Sequence, residues 1–174
     1  MCNAKFQDNQ SLLQWVNEQN LEKIVTCLGD GHPGVWNLVA GIKEEKYRRE
    51  ILDWYHLKEN LYKVKGCLKK IKKIESYLWF GLIDKALQEI SSLPENKAKN
   101  FKNYLKKHRS RIPDYQFLQK LGIDIGSGSV ESKIKQMGLR VKIAGAQWKK
   151  DNVSQILKLR CAYLNGDISL SICA

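Results

Sequence analysis

Apolar residues recur every three or four positions over most of the chain, and extended apolar stretches are few and short. Between Asn9 and Glu18, Leu12, Leu13, Trp15 and Val16 predict a short amphipathic helix. Leu21-Glu-Lys-Ile-Val-Thr-Cys-Leu28 grows steadily more apolar and reads as a strand that enters a tight turn at Gly29-Asp-Gly-His-Pro33. Pro33 suits the first turn of a following helix, where its missing N–H is not needed, and Val35, Trp36, Leu38 and Val39 supply that helix's buried side. A second strand is expected over Glu50-Ile-Leu-Asp-Trp-Tyr55. From His56 the pattern is helical, with Leu57, Leu61, Val64, Leu68 and Ile71 on one side and lysines filling much of the rest. A second helix is predicted over about 75–93, ended by Pro94, and a third from Glu95 to about Arg109. After Ile112-Pro113 a short apolar stretch leads to Gly126-Ser-Gly-Ser-Val-Glu131, and a helix is expected from Ser129 to Met137. Arg140-Val-Lys-Ile-Ala144 reads as extended, and the last helix as Asp151 to Asn165, with Asp151 in a capping position and Gly166 beyond its end. The fold class is α/β and predominantly helical. It divides into 1–56, a basic helical insertion at 57–112, and 113–174.

Composition narrows the setting. The 174 residues are enough for one buried core, and 43% hydrophobic with 28% charged residues exclude a disordered tail. No apolar run approaches the roughly 20 residues of a membrane span, and the N-terminus lacks a signal-peptide pattern. The five cysteines are scattered, with no Cys-x-x-Cys pair and no histidine at zinc-finger spacing, so a disulfide framework or structural zinc site is not expected. A reducing cytoplasm fits this usage. The formal net charge of +12 is unevenly placed: residues 58–111 carry +10 and residues 133–160 carry +7, while residues 1–57 carry −2. Such asymmetry points to a polyanion, most simply nucleic acid; a solvated basic face is the plain alternative.

Three places could carry chemistry. Asp30 lies between two glycines at a strand end, where a carboxylate is rigid and a phosphate can approach closely, although Asp-Gly is also a common turn dipeptide. Asp53 and His56 form Asp-x-x-His. A helical turn starting there would put both on one face, and an N-cap role for Asp53 is the alternative. Glu131 falls in the first turn of a helix after a Gly-Ser loop; Gly128 three residues earlier weakens a capping box and leaves a favourable helix-dipole contact as the plain reading. Trp36, Trp54, Trp79 and Trp148 are read as core before stacking platforms, and His108 as part of a solvated basic helix end.

Taken in order, Gly29-Asp-Gly-His-Pro-Gly-Val-Trp-Asn-Leu38, Ile51-Leu-Asp-Trp-Tyr-His56, Gly126-Ser-Gly-Ser-Val-Glu-Ser132, Lys142-Ile-Ala-Gly-Ala-Gln-Trp148 and Ile156-Leu-Lys-Leu-Arg-Cys-Ala-Tyr-Leu-Asn-Gly166 resemble the catalytic half of an insertion-sequence transposase of the ISKra type. That group is related to mutator-like transposases with an RNase H-like fold. The resemblance spans about residues 21–166. It implies that Asp30 is the second acidic residue of an Asp-Asp-Glu set, that Asp53 and His56 are the supporting Asp-x-x-His motif, and that Glu131 is the final Glu. It further implies that Asp30 and Glu131 hold Mg²⁺ or Mn²⁺ for attack on a phosphodiester. Lys63, Lys69, Lys70, Lys72, Lys73, Lys133, Lys135, Arg140 and Lys142 would then hold transposon-end or target DNA through its phosphates. The family's first catalytic Asp lies on an opening strand, whereas the only Asp before Asp30 is Asp8, in a polar segment leading into a helix. The opening strands are therefore expected to be missing, and Ile168-Ser-Leu-Ser-Ile-Cys-Ala174 reads as an improvised end. The expectation is a truncated DDE transposase, inactive alone, in a bacterial cytoplasm at the nucleoid. It would be a homo-oligomer or the partner of a second polypeptide carrying the missing part. A non-catalytic DNA-binding module that keeps only the basic surface is the alternative.

Overall fold

The computed structural model describes residues 3–5, 7–93, 95–145 and 147–168, without the side chains of 95–97, 140, 150 and 151. The chain forms two compact units, one of residues 22–127 and one of residues 1–21 with 128–174.

In the unit of 22–127, strand β1 (Val25–Gly29) and strand β2 (Arg48–Leu52) pair in parallel, in register from Val25↔Arg48 to Gly29↔Leu52. A parallel pair needs a crossover, and the first helix after β1, Pro33–Val39, supplies it together with a 3-10 turn at Glu45–Tyr47. Pro33 opens that helix as expected, and His32 caps it, its Nδ1 accepting from the Gly34 amide at 3.1 Å. The second strand stops at Leu52, three residues short of the expected Tyr55. Asp53 turns the chain by capping a helix of Trp54–Tyr62.

Numbered in chain order from the N-terminal helix α1 (Asn9–Asn17), these two helices are α2 (Pro33–Val39) and α3 (Trp54–Tyr62). They are followed by α4 (Leu68–Trp79), α5 (Ile83–Ile90), α6 (Glu95–Lys107) and α7 (Tyr115–Lys120). The helix expected to run on past His56 is interrupted between Tyr62 and Leu68. There Gly66 allows close packing, since a Cβ would sit 3.0 Å from Leu93 Cδ2. The helix expected over 75–93 is likewise two pieces. Gly81 has φ +68°, a conformation that side chains disfavour, and turns the chain between α4 and α5, which then pack together.

The core of this unit joins the strands to the helices: Ile51, Leu52, Leu57, Leu61, Ile74, Leu78, Ile90 and Leu105 are all fully buried. At its centre Trp54 meets Trp79 edge-on at 4.8 Å and Tyr115 at 5.0 Å, so two of the four tryptophans named above are packing residues; Trp36 is buried too. Tyr115, on a helix that the apolar pattern did not predict, donates its hydroxyl to the Leu52 carbonyl at 2.7 Å and ties α7 to the end of β2.

In the other unit, Asp8 caps α1 through the Ser11 amide (3.0 Å), and helices α8 (Gly128–Val141) and α9 (Lys150–Asn165) pack against one another. The stretch 140–144 is not extended. Its first residues complete α8, and the Lys142 amide still donates to Gly138 at 2.7 Å. Helix α9 begins with Lys149, not Asp151, in the cap position, and ends as expected at Gly166 with φ +81°. Trp148 is exposed and donates Nε1 to the Val141 carbonyl at 2.7 Å. From residue 169 on, the C-terminal stretch lies outside the described residues. Among the described residues no helix is long and apolar enough to cross a membrane. The whole is an α/β fold, mostly helical, with a two-stranded parallel sheet.

Candidate functional site

Both strands of the parallel pair end in an aspartate. Because Gly29 and Leu52 are register partners, Asp30 and Asp53 follow side by side at the carboxyl edge, and the Asp53 amide extends the ladder by donating to the Gly29 carbonyl at 2.8 Å. The carboxyl edge of parallel strands is where α/β sheets place their ligands. Gly29 cannot be replaced cheaply, since a Cβ there would lie 2.9 Å from the Trp36 ring that α2 packs over the strand.

Asp30 is exposed, and its Oδ1 accepts one hydrogen bond from the His32 amide at 2.9 Å, which shapes the Asp-Gly-His turn. The turn is also held by a residue distant in sequence: Tyr104 of α6 donates its hydroxyl to the Asp30 carbonyl at 3.2 Å. Gly31, at φ +93°, leaves room for that phenol, which a Cβ would meet at 2.7 Å. Burial raises the Tyr104 hydroxyl above the ordinary tyrosine range, and the charges of Asp30 and Asp53 push the same way.

Asp53 is nearly sealed, at 1% exposure. Its Oδ1 accepts from the amides of Tyr55 (2.7 Å) and His56 (3.1 Å), the N-cap pattern. Its Oδ2 accepts from the amide of Ser127 and from the Ser127 hydroxyl at 2.6 Å. Beside this clamp the Trp54 amide donates to the Ile125 carbonyl at 2.9 Å, and Gly126 lies so close to the Tyr55 ring that any side chain would overlap it. Burial alone would raise the carboxyl's pKa, but the donors from Ser127, His56 and Tyr55 outweigh it and hold Asp53 below the usual carboxylate range. Both oxygens are thus occupied by the chain's own donors. His56 reaches Asp53 through its backbone, while its Nδ1 lies 3.7 Å from Glu59.

Glu131 is half-buried in the first turn of α8, four residues along the chain from Ser127, and belongs to the other unit. Among the lysines expected to touch DNA, Lys73 pairs with Glu89 at 2.7 Å, Lys63 with Glu59 at 3.4 Å, and Lys70 reaches the Ser92 hydroxyl at 3.0 Å. Lys69, Lys72, Lys133, Lys135 and Lys142 are exposed; the side chain of Arg140 lies outside the described residues.

Sequence reasoning missed two residues, Ser127 and Tyr104. The Gly-Ser-Gly motif was a signal for the first, and a tyrosine inside an amphipathic helix was none for the second. It also misjudged His108, which is 1% exposed and not solvated. The ring packs 4.8 Å from Tyr104 and 6.3 Å from Trp36, and neither nitrogen has a hydrogen-bond partner among the described residues. Burial, with Arg111 and Lys107 nearby, lowers its pKa. Comparison of the chain with known protein families, curated proteins and solved structures returns no significant match.

Proposed function

We propose that the chain is the acidic-site portion of an insertion-sequence DDE transposase. In this reading an RNase H-like core presents Asp30 and Glu131 to Mg²⁺ or Mn²⁺, and DNA is the substrate. One observation carries the reading: two aspartates stand next to each other at the carboxyl ends of adjacent parallel strands joined by a helical crossover. The order of motifs along the chain, described above as a resemblance, supports it.

Asp30, an exposed oxygen donor on a rigid turn, suits a hard divalent cation, and Asp53 and His56 bring two further metal-ligating atoms within 4.8 Å of each other, the Asp53 oxygens also accepting from the chain's own donors. A bound metal would supply Lewis-acid activation of the attacking oxygen and neutralise the leaving one. The chain's own residues would do the rest. Asp30 and Glu131 hold the cation. Asp53 and Ser127 fix the loop that leads into α8, and His56 stands in the first turn of α3 beside that anchor. Exposed lysines, among them Lys133 and Lys135, hold DNA through its phosphates. Two carboxylates bind weakly, so the chain alone does not complete transposition; metal-dependent nicking of transposon-end DNA that Glu131→Ala abolishes would contradict this.

Titrating Mn²⁺ into the full chain, with the free-ion signal read by electron paramagnetic resonance, tests the metal reading. Binding with a dissociation constant on the order of 1 mM, lost in both Asp30→Asn and Glu131→Gln, is the expected result. Mn²⁺ binding that both variants keep would overturn it. The second reading, a non-catalytic DNA-binding module, is favoured by the exposed basic surface, with Lys99, Lys106, Lys107, Lys133 and Lys135 open to solvent. It predicts salt-sensitive DNA binding that neither variant changes.

A further inference from the structure

The positive charge of the helical segment is not equally available along its length. Lys58 of α3 is bound to Glu75 at 2.8 Å and Lys73 of α4 to Glu89 at 2.7 Å, so each carries a carboxylate that cancels its field. Helix α6 is different. From residue 96 to residue 113 the chain contains no acid, and α6 holds five lysines against the single Glu95 at its start. Lys99, Lys106 and Lys107 are exposed; Lys102 is half-buried and reaches the Ser91 hydroxyl at 3.0 Å.

The same helix is fastened to the end of β1, through the Tyr104 hydroxyl on the Asp30 carbonyl. Helical spacing places four residues around Tyr104. Phe101 and His108 face the core, while Asn100 and Lys107 are exposed. Asn103, also exposed, lies between these two, so Asn100, Asn103 and Lys107 make a polar stripe alongside the tyrosine that touches Asp30. At 1.5 Å per residue the stripe is about 10 Å long, roughly three nucleotides at 3.4 Å rise per strand. Side-chain amides and ammonium groups are donors that phosphate oxygens accept from, and none of the three adds negative charge.

The geometry points to helix α6 as the surface along which a DNA strand is held as its phosphate reaches Asp30, with Asn100, Asn103 and Lys107 donating to the strand's phosphates. This deepens the transposase reading and rests on it. Asp30 is negative, so a phosphate delivered there needs a cation between the two charges, which is the arrangement that reading requires.

Two matched pairs of substitutions in the full chain test the assignment, since each removes the same net charge from exposed helix positions. Binding of a fluorescent 30-base-pair duplex is followed by anisotropy across a salt series for the wild type, Lys106→Ala/Lys107→Ala on α6, and Lys69→Ala/Lys72→Ala on α4. The α6 pair is expected to flatten the slope of log affinity against log salt by at least about 0.9, the value of the one phosphate contact assigned to Lys107, and the α4 pair by less than half as much. Unchanged circular dichroism and melting temperature confirm that each variant folds. Equal losses from the two pairs, or a greater loss from the α4 pair, would overturn the assignment while leaving DNA binding intact. A wild type that shows no salt-dependent DNA binding would instead sink the transposase reading and this inference with it. The Mn²⁺ titration is expected to be the same in the α6 pair as in the wild type, which separates strand binding from metal binding.

Discussion

Burial of His108 beside Trp36 and Tyr104 leaves its two nitrogens without partners among the described residues, so the folded chain resists protonating it. Above the unfolded value of about 6.5 the ring is neutral in both states and adds nothing to the pH dependence. Below it the unfolded chain takes up the proton first, so stability falls as pH drops towards the lowered folded-state pKa, then levels off. Urea denaturation at pH 7.5 and 5.5 should show this loss in the wild type. His108→Phe should remove most of it and gain about 1 kcal/mol at neutral pH, because two unsatisfied polar atoms disappear. Asp53 works with the opposite charge. Its pKa is lowered on folding, so its contribution is fully present above the unfolded value of about 3.9 and is lost as pH falls through the folded one. Asp53→Asn turns an amide donor towards donors that now bond a carboxylate. It should cost about 3 kcal/mol at pH 7, with a weaker acid limb in the same titration.

At the scale of elements, glycines decide where the helices break. Gly81 combines φ +68° with the Asp114 amide and Pro113 carbonyl about 3 Å from where a Cβ would sit. Gly81→Ala should therefore lower stability by about 1–3 kcal/mol, visible as a lower midpoint in thermal unfolding followed by circular dichroism. Gly122→Ala, also at positive φ but with nothing within 4 Å, should cost less. This contrast explains what could be read from the residues. Helices α1, α2 and α6 and the end of α9 are marked by a polar cap, a proline or a closing glycine, and their bounds follow. The breaks at Gly66 and Gly81 lie inside an apolar period that continues across them, so the pattern alone joins α3 to α4 and α4 to α5. Helix α7 has only six residues, too few for a period, although Asp114 caps it through the Phe117 amide at 2.9 Å. The site divides in the same way. Asp30 and Asp53 stand at strand ends that their neighbours announce, whereas the residues that hold them, Tyr104 and Ser127, each lie 74 positions away.

Across the whole molecule that separation has a kinetic meaning. The strand register pairs residues 23 positions apart, while the bonds from Tyr104 to Asp30 and from Ser127 to Asp53 close loops of 74. By loop-closure entropy the longer loops cost about 1 kcal/mol more, so they are expected to close after the strand pair and its crossover helix have formed. Stopped-flow folding of Ser127→Ala and Tyr104→Phe should show unfolding accelerated by most of the lost stability, with folding rates within about twofold of the wild type. Folding slowed in proportion to the lost stability would place these bonds in the nucleus instead. The strand-end aspartates would then be the last part of 22–127 to be assembled and the first to come apart, so the carboxylate pair has a shorter lifetime than the fold that presents it.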